Sequence, residues 1–267
     1  MEHLNYCRQA IKQWRAYCAQ PNAQERNLLM QLATLAEMAK KFMLPDGGRL
    51  IEDFSLKALD ENIPLNLPYD LIACEYAFGK SMAYKPGSNG HSYDRYILFA
   101  HDADETITFW SIARNCANGN WISSEMTSLL KTNYLLREGK EVSIKFQNNQ
   151  KIDEQAAYDA STLLHLLNAL QCSNVHIERS QAKNANKKIK AALPFDSYHI
   201  LTIDVGKSGE SIALANGGSH RSPREHLRRG HIVRPGEGRK PFWRNATVVC
   251  AGRSFNKVEK DYRIKKQ

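Results

Sequence analysis

Residues 95–110 read RYILFAHDADETITFW. Two short runs, Arg95 to Ala100 and Thr106 to Trp110, are rich in the aromatic and β-branched residues that suit a pleated, buried surface. Between them stands His101-Asp102-Ala103-Asp104-Glu105, polar and short enough for a hairpin connection. The pattern predicts two adjacent antiparallel strands. LIACEYAF (residues 71–78) and EVSIKF (residues 141–146) have the same texture and are set off by Gly, Asn and Asp clusters, so a four-stranded antiparallel meander is expected.

Helical spacing appears on both sides of this region. Upstream, Cys7, Ile11, Trp14 and Cys18, then Leu28, Leu29, Leu32, Leu35, Ala36 and Ala39 beyond a break at Pro21, predict a helical hairpin. A third helix is expected over Arg49 to Leu59, between the Pro45-Asp46-Gly47-Gly48 turn and the Pro64/Pro68 pair. Downstream, Asp153 to Leu170 carries Ala156, Ala157, Ala160, Leu163, Leu164, Leu166, Leu167 and Leu170, an apolar face broad enough to pack over a sheet. NVHIE (174–178) and SYHILTID (197–204) resume as strands on either side of the basic stretch AKNANKKIK (182–190), whose ordinary reading is a solvated helix or loop. WRNATVVCA (243–251) and KDYRI (260–264) supply the last strands. The expected fold is α+β: N-terminal helices, an antiparallel sheet with one long packing helix, and a basic C-terminal β module. Residues 1–207 form the body, 208–220 a linker and 221–267 the module.

An apolar fraction of 42% and a charged fraction of 24% are those of an ordinary globular chain. No run approaches the roughly 18 apolar residues of a membrane span, and MEHLNYCRQAIKQW at the start lacks the apolar core of a signal peptide. A cytoplasmic protein with no membrane role is expected. Six cysteines scattered singly, without a C-x-x-C pair, argue against a disulfide framework or a structural zinc site.

Charge is informative once it is located. Residues 219–267 hold fourteen Lys/Arg against four Asp/Glu, a net +10, while everything before them nets −1. A neutral body with so basic a tail is built to meet phosphate or an acidic protein. The plainer reading is a charged tail kept for solubility.

Few motifs carry chemistry. Gly206-Lys207-Ser208 follows a predicted strand, but a phosphate loop needs a further Gly where this chain has Leu201. Asp102, Asp104 and Glu105 suit a hairpin turn better than a cation site. Neither a metal nor a cofactor is expected, and no nucleophile elbow or catalytic triad assembles. The one dense constellation is Ser222-Pro223-Arg224-Glu225-His226-Leu227-Arg228-Arg229-Gly230-His231. Arginine forks hold phosphate bidentately, and neutral histidine donates, accepts and stacks. Arg234, Lys240, Arg244 and Arg253 extend the basic surface, and Lys240 and Arg244 flank Phe242 and Trp243 as a base-stacking protein would have it. Trp243 also begins an apolar strand, which suits a core position. The enzyme alternative makes His226 and His231 the acid and base of a metal-independent ribonuclease. The third alternative is a module that docks an acidic protein and never touches nucleic acid.

The run Pro223 to His231, followed by Trp243, Ala246, Val249, Gly252 and Arg253, resembles the C-terminal signature of a family spread through phages, plasmids and other mobile elements. The characterised branch of that family is one of the type V-A anti-CRISPR families. Leu65-Asn66-Leu67-Pro68 ahead of a strand is similar to its middle region. Pro223, His226, Arg228, Arg229, Gly230, His231, Trp243 and Gly252 fit the signature; Ile232 stands where an aromatic is usual, and Pro235-Gly236-Glu237-Gly238 replaces a bulkier loop. The resemblance implies a counter-defence protein that lowers production of a CRISPR effector nuclease in a bacterial host. Its implied partner is the nascent effector or its mRNA, with the tail reaching RNA or the ribosome.

Overall fold

The structure is a computed structural model. It describes residues 4–20, 25–50, 56, 59, 64–78, 93–138, 141–147, 154–180, 197–205, 226–228, 231–235, 239–244, 247–249 and 263–266. The α+β class and the order of elements follow the sequence: helices α1 (Tyr6–Cys18) and α2 (Arg26–Met38), then β1 (Lys40–Met43) and β2 (Leu71–Ala77). The meander continues with β3 (Tyr93–Ala103), β4 (Thr106–Asn115), β5 (Trp121–Ser123) and β6 (Thr127–Leu130). A small hairpin, β7 (Leu135–Glu138) with β8 (Glu141–Ile144), precedes the long helix α3 (Glu154–Leu170). Strands β9 (Val175–Ser180) and β10 (Tyr198–Val205) follow.

β3 and β4 pair antiparallel from Ala103 opposite Thr106 through Phe99 opposite Trp110, turning on Asp104 and Glu105. The strands run further into the expected connection than the sequence indicates, so His101 and Asp102 belong to β3. Asp104 takes a left-handed backbone (φ 40°), a conformation that Asp tolerates better than most residues. Asp102 is ion-paired with Lys131. Among the described residues no group of His, Cys, Asp and Glu side chains is placed to hold a metal ion.

The sheet is mixed rather than wholly antiparallel. β1 lies between β2 and β10 and runs parallel to both. A last strand, β15 (Arg263–Lys266), is parallel to β10 along Thr202–Val205. β9 occupies the other edge of β10, from Tyr198 to Ile203, so β1 and β15 share one edge end to end. β1 escapes a sequence reading because KKFM is short, half charged, and abuts α2. EVSIKF does not join the large sheet. Its strand, β8, pairs with β7, and Phe146 alone bridges to Leu129 of β6. The helix expected over Arg49 to Leu59 lies mostly outside the described residues, and Arg49 itself is extended.

Both faces of the sheet are covered. Ala73, Ile97, Phe99, Trp110 and Ile112 face the α1–α2 hairpin, meeting Tyr6, Ala10, Trp14, Leu32 and Ala36. The alternate residues Ile72, Cys74, Tyr76, Tyr96, Leu98 and Phe109 share a second core with Leu163, Leu164 and Leu167 of α3. Cover on two sides is why YILFA reads as a continuous apolar run rather than an alternation. From Thr162 to Ala169, α3 is buried on every face, so something must also pack on its outer side. Part of that cover comes from the C-terminal module.

Candidate nucleic-acid interface

Within the module, β11 (His226–Arg228) pairs antiparallel with β14 (Thr247–Val249), and β12 (His231–Val233) with β13 (Phe242–Arg244). Arg228 stands opposite Thr247, and Val233 opposite Phe242. One register serves both ladders: the five steps from Val233 back to Arg228 match the five from Phe242 forward to Thr247. Among the described residues the two pairs are separate two-stranded sheets, and together they make up the basic ribbon.

The β12–β13 pair is fastened to the body. Trp243 is 5% exposed and belongs to the core beneath α3, with Ile232, its cross-strand partner, packed against the same core. Asn174 pairs with the Trp243 backbone reciprocally, its Nδ2 donating to the carbonyl at 2.8 Å and its Oδ1 accepting from the amide at 2.7 Å. A side-chain amide thus does what a neighbouring strand would do, and satisfies both backbone groups. The Ser173 amide donates to the Pro241 carbonyl at 2.8 Å, and the Arg234 guanidinium donates to Asn168 Oδ1 at 3.0 Å. Burial pushes the nearby Cys172 thiol up to about 11, with the Arg234 charge acting in the opposite direction. Cys172 is therefore an inert buried thiol at neutral pH.

Alternation along β13 separates its side chains. Trp243 points into the core, whereas Phe242 is half-buried and Arg244 is exposed with its guanidinium 5.7 Å from the Phe242 ring centroid. Of the two readings open for Trp243 the core position holds: Trp243 is an anchor, and Phe242 beside Arg244 is the aromatic left on the surface. Arg239 and Lys240 are exposed, while Arg234 is half-buried in its bond to Asn168.

His226, Arg228 and His231 are placed by their backbones, on β11 and β12. Pro223, Arg224, Arg229, Gly230, Gly252 and Arg253 lie outside the described residues, as do Gly206, Lys207 and Ser208. His226 and His231 pair with Val249 and Arg244, five register steps apart.

Asn168 and Asn174, which hold the ribbon, were not singled out by the sequence reading. The available signal was weak: each is an amide beside an apolar run, at the end of α3 and the start of β9. No family model, curated protein or solved structure matches the chain.

Proposed function

We propose that the protein engages RNA, free or on the ribosome, through its basic C-terminal ribbon, and that it does so as a counter-defence regulator of a CRISPR effector nuclease. The observation that carries the RNA reading is the joining of a +10 segment to a −1 body, its described strands fastened at Trp243, at Arg234 and along β15. The described basic residues beside these anchors are positioned before any ligand arrives. Arg239, Lys240 and Arg244 offer guanidinium and ammonium donors on the surface, and Phe242 offers a half-exposed ring. That combination grips phosphate and accepts a stacked base.

The counter-defence part rests on the Pro223 to His231 resemblance and on the order of helices, meander, long helix and basic tail. On that reading the chain acts in the cytoplasm of a bacterial host, on the nascent effector or its message. None of the described helices is long and apolar enough to cross a membrane.

A salt titration tests the RNA reading. Each neutralised phosphate releases counterions, so affinity should fall steeply between about 50 and 200 mM salt, with a log–log slope near −0.7 per contact on single strands. A flat dependence would refute an electrostatic RNA interface. Expression beside a panel of tagged CRISPR effectors, following protein and message together, tests the regulatory part. Unchanged effector and message across the panel would sink it.

A further inference from the structure

A groove of about 460 Å³ lies at the C-terminal end of α3, between β9 and the extended segment around Pro68. It is within the range of small-molecule sites, about 300–1,000 Å³. Its lining includes the apolar Leu67, Pro68, Leu167 and Leu170 and the polar Asn66, Gln171 and His176. Asn66 Nδ2 donates to the Pro64 carbonyl at 3.4 Å and His176 Nε2 lies 3.5 Å from Glu178 Oε1, while the Asn66 carbonyl oxygen and the Gln171 amide supply an acceptor and a donor–acceptor pair.

The rim adjoins the anchored end of the ribbon. Gln171 and Val175 line the groove, and the residues between them hold the module: Ser173 donates to Pro241, and Asn174 pairs with Trp243. Exposed Arg239 and Lys240 immediately precede Pro241. A polyanion gripped by Arg239 and Lys240 therefore lies one hydrogen-bonded contact, Ser173 to Pro241, from residues that line the groove.

We propose that this groove takes one unpaired nucleobase of a single-stranded RNA whose phosphates lie on Arg239 and Lys240. The inference rests on the RNA reading of the ribbon and adds a ligand class to it. A duplex keeps its bases stacked and paired, so it presents no free base to a pocket of this size, whereas a single strand does. Charge complementarity selects this occupant over an apolar peptide, because exposed Arg239 and Lys240 precede the Pro241 whose carbonyl Ser173 holds, two residues from Gln171 of the lining. The amide edge of Asn66 and Gln171 matches the hydrogen-bonding edge of a base.

The test uses the full chain and a short fluorescein-labelled single-stranded RNA of mixed sequence. The same strand carrying abasic riboses at every position, and the strand annealed to its complement, serve as comparisons. Binding is read by fluorescence anisotropy at fixed salt. The intact single strand should bind about tenfold more tightly than the abasic strand and the duplex, the scale of one base contact. Gln171→Ala and Leu67→Trp should remove that preference, leaving affinity for the abasic strand and the melting temperature unchanged. Equal binding of intact and abasic strands overturns the groove while leaving the ribbon reading in place. A preference that survives both substitutions also overturns the groove, since it would arise elsewhere. Failure of all three ligands to bind removes the RNA reading itself, and the groove inference with it.

Discussion

Glu75 is fully buried in the middle of β2, and the groups around its carboxylate are donors: the Tyr6 and Cys7 amides at 2.8 Å and the Tyr198 hydroxyl at 2.6 Å. It caps α1 from a distance of nearly seventy residues, on a helix whose preceding Asn5 has a left-handed backbone and offers no side-chain cap. Burial pushes the carboxyl up, and the Tyr198 and backbone donors pull it back without restoring the ordinary value. Glu75→Gln keeps the shape but turns an amide N–H₂ toward a donor. The expected loss is about 2–3 kcal/mol, the range for hydrogen bonds to charged groups, read as a lowered denaturation midpoint with unchanged slope.

His165 gives a pH test of opposite sign to that of Glu75. Burial, then the Arg49 charge, lowers its folded pKa to about 4 from 6.5. Below 6.5 the unfolded chain takes up a proton that the native chain refuses, so stability present at neutral pH is lost as pH falls through that window. By pH 5 the loss is about 2 kcal/mol, and His165→Leu should abolish that share of it, measured as the difference between urea unfolding at pH 7 and pH 5. Glu75, raised by burial, instead becomes less costly as pH falls toward its folded pKa, and it is common to both proteins being compared.

At the scale of elements, the ribbon is held by one side chain in the core and one amide at its edge. Trp243→Ala should cost about 3–5 kcal/mol, as large aromatic truncations in cores do. Asn174→Ala should cost about 1–3 kcal/mol by leaving two backbone groups unpaired. In both, limited proteolysis should cut near residues 234–241 faster than in the parent protein, with the α1–α2 hairpin still protected. Uniform protection would show that these contacts do not hold the module. Long or strongly apolar elements were legible in the sequence: α1, α2, α3 and the β3–β4 hairpin declare themselves by period and composition. β11 was not legible, because His226-Leu227-Arg228 has the composition of a solvated loop and becomes a strand only through Val249, Val248 and Thr247 opposite it. Glu75 was visible as a carboxylate inside LIACEYAF, but its partners on α1 and β10 are set by tertiary packing. Trp243 was ambiguous between core and stacking platform, and only the alternation along β13, fixed by its pairing with β12, resolves it.

At the scale of the whole molecule, an α+β body of net −1 adjoins a segment of net +10 whose last described strand, β15, lies in the body's own sheet. Among the described residues, Trp243 of the signature belongs to one of the body's two cores, with Ile232 packed beside it. Function and folding are expected to be separable by mutation. The most direct test is the doubly substituted chain Arg228→Ala/Arg229→Ala, in which RNA affinity across a salt titration and melting temperature are measured on the same preparation. Losing two guanidinium forks should weaken binding by about 1.5–3 kcal/mol each and make the salt slope shallower, while changes of this kind outside a core cost under about 0.5 kcal/mol of stability. Unchanged RNA binding, or a melting temperature that drops as far as for Trp243→Ala, would contradict the account, because the signature would then be architecture and the partner surface would lie elsewhere.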